Sequence, residues 1–215
     1  MDGLLVDSER YMWFKSLSIA AQEQGKVMTD EFHSSFMGKS LKSLKPTFKK
    51  AYGQDFDVEL FYKRIEELNK GFMKQGIPLM KGARQLLDYL HSKSIKTCIG
   101  TGSTKQETMD MLTSDNLLDE FDAIVCGDDI EKCKPDPEIY LKCYEKFNFD
   151  KSEILVLEDG EAGAKAAIAA GIRLILVPDV AIISQEVKDQ AYRVVNDLSQ
   201  VIDIIKEENE TTTSI

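Results

Sequence analysis

Glu158 and Asp159 are adjacent carboxylates that follow a short apolar run, Ile154-Leu155-Val156-Leu157, and precede Gly160. If that run is a strand of a parallel sheet, both acids stand at the mouth where such sheets bind ligands. Paired carboxylates there need a positive partner. Mg2+ takes oxygen ligands, accepts one or two carboxylates plus a substrate phosphate, and keeps several waters. A helix cap is the alternative reading of Asp159, and it leaves Glu158 unexplained. Thr101-Gly102-Ser103 follows the apolar run Ile95 to Gly100. Small hydroxyls and a glycine ahead of free helix N–H groups suit a phosphate, and equally a Thr/Ser cap. Lys134, in Lys134-Pro135-Asp136-Pro137, can reach a phosphate oxygen and offset transition-state charge. Its alternative is a solvated lysine in a proline-stopped turn. Asp2, followed by the turn residue Gly3, and Asp7 complete the set. Each signal is weak alone; together an acid, a hydroxyl, a lysine and a carboxylate pair at strand ends point to one place.

The elements that must position these groups fall into two blocks. Ser8 to Gly25 reads as a helix, with Ser8 as cap and Gly25 as stop. Thr29 opens a short helix with Phe32 and Phe36 four apart, which breaks at Met37-Gly38-Lys39-Ser40. Leu41, Leu44 and Phe48 predict a third helix ended by Gly53, with Pro46 tolerable only in its first turn. Asp57 caps a fourth, carrying Leu60, Phe61, Ile65, Leu68, Phe72 and Met73, and Gly76 ends it. Four amphipathic helices with short loops predict a small bundle. After Pro78, helices alternate with short continuous apolar runs at 95–100, 123–126, 154–157, 172–177 and 194–195. Such runs are buried on both faces, so the fold class is α/β with a doubly wound parallel sheet. The bundle, 8–77, is expected as an insertion in an α/β core domain of 1–7 and 78–215, resting on two linkers and able to move as a lid.

The chain has 215 residues, with 27 Lys and Arg against 37 Asp and Glu, a net charge of −10. Its length suits one or two domains. An acidic chain with a pI near 4.8 is a poor electrostatic partner for nucleic acid. No run of about 18 apolar residues predicts a membrane span, and the acidic N-terminus lacks signal-peptide character. Four cysteines in no C-x-x-C pattern fit reduced thiols in a cytoplasmic protein. His33 and His91 read as surface or packing residues. A monomer is expected.

Met1-Asp2-Gly3-Leu4-Leu5-Val6-Asp7-Ser8-Glu9, Thr101-Gly102-Ser103, Lys134-Pro135-Asp136-Pro137 and Leu157-Glu158-Asp159-Gly160 resemble, in order, the four motifs of the haloacid-dehalogenase-like superfamily. The branch it is most similar to contains the β-phosphoglucomutases and sugar-phosphate phosphatases with a four-helix cap, and the resemblance covers essentially the whole chain. It implies an Mg2+-dependent phosphohydrolase acting on a small phosphorylated metabolite through an aspartyl phosphate. By resemblance Asp2 is the general acid/base, and its backbone carbonyl binds Mg2+ beside Glu158 and Asp159. Thr101 and Lys134 hold the phosphoryl group, with Gly102 and Ser103 next to it. Gly38 and Lys39 fall where this branch places its cap specificity loop.

The sequence departs from the pattern twice. The first motif is Asp-x-Asp-Gly, and its first Asp is the nucleophile; here Met1 is the x. A start placed too late and a truncated, non-catalytic chain are the two explanations. Either way residues 1–215 are expected to turn over negligibly, and loss of the strand bearing that Asp should expose its two neighbours. Mutases of this branch carry an early cap histidine where this chain has Met12, which favours a phosphatase over a phosphomutase. A non-catalytic phosphate-ester-binding protein is the other alternative.

Overall fold

Residues 1–36 and 41–213 are described by a computed structural model of the chain. They form two compact units, Ser8–Ile77 and Met1–Asp7 with Pro78–Ile215.

The helical unit opens with wide π-helical turns over Ser8–Phe14 that run into α1 (Lys15–Glu23). Sequence periodicity predicts one α-helix from Ser8. The widened turns coincide with four consecutive bulky residues, Tyr11 to Phe14, and Tyr11 packs edge-on against Phe72 at 5.8 Å. Thr29 caps α2 (Asp30–Ser34), its hydroxyl accepting from the Phe32 N–H at 3.1 Å. A 3-10 turn over Leu41–Leu44 leads into α3 (Lys45–Tyr52), where Pro46 sits in the first turn and removes no helix hydrogen bond. Asp57 caps α4 (Val58–Gln75) by accepting from the Glu59 and Leu60 N–H groups at 3.1 and 3.0 Å. The unit closes on an aromatic core. Phe48 is fully buried and meets Phe61 at 5.0 Å, Phe36 at 5.3 Å and Phe32 at 5.9 Å between ring centres. His33 is buried against Phe14 and Phe36, and burial lowers its pKa, as befits a packing residue.

In the other unit, α5 (Ala83–Ser92) precedes β1 (Cys98–Gly100), α6 (Lys105–Ser114), β2 (Ala123–Val125), α7 (Glu138–Tyr144) and β3 (Leu155–Glu158). Then come α8 (Glu161–Ala169), β4 (Arg173–Leu176), α9 (Gln185–Gln190), β5 (Arg193–Val194) and α10 (Ser199–Thr213). These five strands pair in parallel, and an isolated antiparallel bridge joins Val6 to Leu79. The expected single sheet is divided: β1 pairs with β2, and β3, β4 and β5 form a second sheet, leaving β1 and β3 each at an edge. The first seven residues do not bridge the two. They curl into a turn in which the Leu4, Leu5 and Val6 N–H groups converge on the Met1 carbonyl, with Gly3 at φ +69°. β1 is shorter than its apolar run because the Asp122 carboxylate takes the Thr97 N–H at 2.9 Å. Between the layers lie Val125, Ile139, Val156, Leu174 and Leu176, and the small residues Gly163, Ala164 and Ala167 let α8 lie close to the sheet. Among the described residues no helix is long and apolar enough to cross a membrane.

Asp197 pins the start of α10. Its carboxylate holds Lys81 Nζ at 2.7 Å, the Ser199 N–H at 3.0 Å and the Ser199 hydroxyl. Lys81 and Ser199 hold its pKa down at about 2, against an ordinary 3.8. The folded chain therefore releases this proton more readily than the unfolded one. The stability so gained is complete above about pH 4 and vanishes as pH falls towards 2. Asp197→Asn should lower the denaturation midpoint at pH 6 and leave it nearly unchanged at pH 2. An equal loss at both pH values would show that the charge is not what matters.

Candidate active site

Three strands end at one edge of this unit. β1 delivers Thr101, β2 delivers Gly127, and β3 delivers Glu158 and Asp159. Strand ends of a parallel sheet point carbonyls and following N–H groups the same way, so polar side chains collect there. Thr101 is buried, and its hydroxyl donates to Asp2 Oδ2 at 3.3 Å. The Ser103 hydroxyl donates to the same oxygen at 3.0 Å, and the Ser103 N–H donates to Thr101 Oγ1 at 3.2 Å. Asp2 and the loop after β1 thus form one network. Gly127 braces that loop: its N–H donates to the Ser103 carbonyl at 2.8 Å, and a Cβ there would strike the Gly102 carbonyl. Gly102 itself is exposed, with open space where a side chain would stand.

The α6 start takes the cap reading, through Thr104. Its first N–H groups are largely taken by side chains of the chain itself. Thr104 and Glu107 form a reciprocal capping box, and Asp128 Oδ2 takes the Lys105 N–H at 2.5 Å.

Lys134 lies between β1 and β3. Its ammonium bonds Glu158 Oε1 and reaches the Gly100 carbonyl at 3.4 Å. Tyr140, on α7, was not legible as a site residue. Its buried hydroxyl donates to Glu158 Oε1 at 2.5 Å, and its ring faces Lys134 Nζ at 5.0 Å. The other Glu158 oxygen accepts the Asp159 and Gly160 N–H groups at 3.1 and 3.3 Å. Burial works against the Glu158 charge, but Lys134, the Met1 amino group and Tyr140 together hold its pKa below the usual carboxylate value. A Cβ on Gly163 would collide with this carboxylate, so the α8 glycine makes room for it.

Asp159 is the contrasting acid. Burial and the neighbouring Glu158 charge push its pKa up to about 7, and it packs against Gly3 so closely that any Cβ there would strike its carboxylate. Among the described residues no three His, Cys, Asp or Glu side chains gather as a metal cluster. The Asp2 carboxylate faces Thr101 and Ser103, and Glu158 and Asp159 form the acid pair. Two carboxylates with oxygen donors suit Mg2+, which completes its shell with waters and phosphate. Gly38 and Lys39 lie outside the described residues.

Residues 1–177 match the model of the haloacid dehalogenase-like hydrolase family. A phosphorylated carbohydrates phosphatase of Thermotoga maritima is 33% identical over 175 residues, 81% of this chain and 81% of its own. A (DL)-glycerol-3-phosphatase of Arabidopsis thaliana is 29% identical over 200 residues, 88% of this chain and 82% of its own. A crystal structure from Thermotoga maritima, of a protein proposed to be a beta-phosphoglucomutase, superposes with a TM-score of 0.83 at 30% identity, covering 96% of each chain. Strand-end acids, a lysine and a hydroxyl on a parallel α/β core therefore have their setting: the chain belongs to the haloacid dehalogenase-like hydrolases.

Proposed function

We propose that the protein hydrolyses a small phosphate monoester, a sugar or nucleoside phosphate, with Mg2+ and through an aspartyl phosphate. The observation that carries this reading is the convergence of Asp2, Thr101, Lys134 and the Glu158–Asp159 pair at the ends of β1 and β3. Thr101 and Lys134 hold the phosphoryl oxygens. Asp2 Oδ2, aimed by the hydroxyls of Thr101 and Ser103, gives a proton to the departing alkoxide and later takes one from the attacking water. Mg2+, when held by Glu158, Asp159 and the Asp2 carbonyl, would neutralise phosphate charge and align it for in-line attack. By the family's Asp-x-Asp-Gly pattern the nucleophile would be the aspartate before the position that Met1 holds here, a residue that 1–215 do not include.

Ser8–Ile77 serves as the cap, and its linkers run side by side where the Asp7 N–H donates to the Pro78 carbonyl at 2.8 Å. A cap of this kind excludes water during phosphoryl transfer. Gly38 and Lys39 would contact the substrate from it. Met12, in place of a histidine, supports hydrolysis over phosphomutase chemistry. Four free cysteines suit the cytoplasm.

Asp2→Asn tests the acid/base role in the chain extended by that aspartate. The expected result is a fall in kcat of about 10²–10⁴-fold, with a phosphoenzyme that still forms and accumulates. Unchanged kcat with a raised KM would overturn the role. Label passing between two positions of a sugar bisphosphate would select a mutase instead.

A further inference from the structure

Two cysteines outside this machinery share one contact. Cys98 opens β1 and Cys143 lies on α7, and their sulfurs sit 3.5 and 3.7 Å from the same Ile99 carbonyl oxygen. Gly100 leaves room for the second sulfur, since a Cβ there would stand 3.0 Å from Cys143 Sγ. All four cysteines are free thiols, and this pair is partly rather than fully buried. We propose that Cys98 and Cys143 are a modification site, closing to an intramolecular disulfide when the protein meets a peroxide.

The chemistry divides between the two sulfurs. The Cys98 hydrogen bond, and behind it the ammonium groups of Lys134 and Lys146, lower the Cys143 pKa against the effect of burial. The Cys98 pKa is raised, by its hydrogen bond to Cys143 and by burial. Both sulfurs face the same oxygen, so either can attack first; the ammonium groups beside Cys143 favour it as the attacking thiolate. Cys143 then displaces one peroxide oxygen, breaking the O–O bond and leaving a sulfenic acid on Cys143 and, after protonation, one water or alcohol. Cys98 sulfur then attacks the sulfenic sulfur; its S–H proton leaves with the hydroxyl as water, and the S–S bond forms. Two thiols lose two electrons and two protons, and the peroxide accepts both. Bond formation brings the two sulfurs from their common contact at the Ile99 carbonyl to about 2.05 Å. The bond ties β1 to the helix that carries Tyr140, one turn before Cys143.

The test reads the covalent state and does not depend on the hydrolase reading. The 215-residue protein is treated with hydrogen peroxide, alkylated without reduction, and mapped by peptide mass spectrometry. The expected result is a Cys98–Cys143 cross-linked peptide pair, lighter by two hydrogens, lost on treatment with dithiothreitol. C126S/C133S should still form it, and C98S or C143S should abolish it. Oxygen added to Cys143 with no cross-link would overturn the proposal, as would a cross-link through Cys126 or Cys133 or between two chains. The wild-type map decides even if a variant fails to fold.

Discussion

Lys134→Ala is expected to cost both activity and stability. In the aspartate-extended chain kcat/KM should fall by about 10²–10³-fold, the scale of losing one charged or hydrogen-bonding group at a developing oxyanion. Stability should fall by about 3–5 kcal/mol, because Glu158 is left buried without its cation. The two losses have separate causes, and a second change separates them. Lys134→Met with Glu158→Gln removes both charges, so much of the stability should return while activity stays lost. Chemical denaturation and steady-state phosphate release measure the two arms. A Lys134→Ala protein with normal stability and normal kcat/KM would show that Lys134 is the solvated lysine of a proline turn.

Phe48→Ala is the largest change expected in the helical unit, at about 3–5 kcal/mol. Phe48 is fully buried, and five aromatic rings lie within 6.2 Å of its centre. Removing it leaves a hole that rigid neighbours on three helices cannot fill. A unit of about 70 residues has little stability in reserve. Proteolysis should therefore cut within 8–77 under conditions where the wild type resists, while the α/β unit persists. Phe48→Leu should recover part of the loss. An unchanged denaturation midpoint for Phe48→Ala would contradict the assignment of Phe48 as the centre of this core.

Much of this arrangement is written in local signals. Apolar runs end within one residue of where strands end, so Thr101 and Glu158–Asp159 are found by reading where hydrophobicity stops. Thr29 and Asp57 announce helix starts, and Gly53 and Gly76 announce stops, because caps depend on residues a few positions apart. What escapes is long-range. Tyr140 meets Glu158 across 18 positions, and on sequence alone it is one more apolar-face residue of α7. The Asp128 clamp on the α6 start spans 23 positions, so an exposed-looking helix terminus is in fact partly satisfied. The turn at Met1 to Val6 is equally hidden: three N–H groups meet one carbonyl there, and the strands divide into two sheets, neither of which a run of apolar residues announces.

The central proposal is Mg2+-dependent phosphoryl transfer to the first-motif aspartate of the family, which residues 1–215 do not contain. It is tested most directly by phosphate release from a panel of sugar and nucleoside phosphates, comparing residues 1–215 with the same chain carrying that aspartate on an apolar strand. Each is assayed in Mg2+ and after chelation. The account predicts turnover only for the extended chain, only with Mg2+, and with a hydroxylamine-sensitive phosphoenzyme. Equal turnover by both chains, or turnover indifferent to Mg2+, would contradict it.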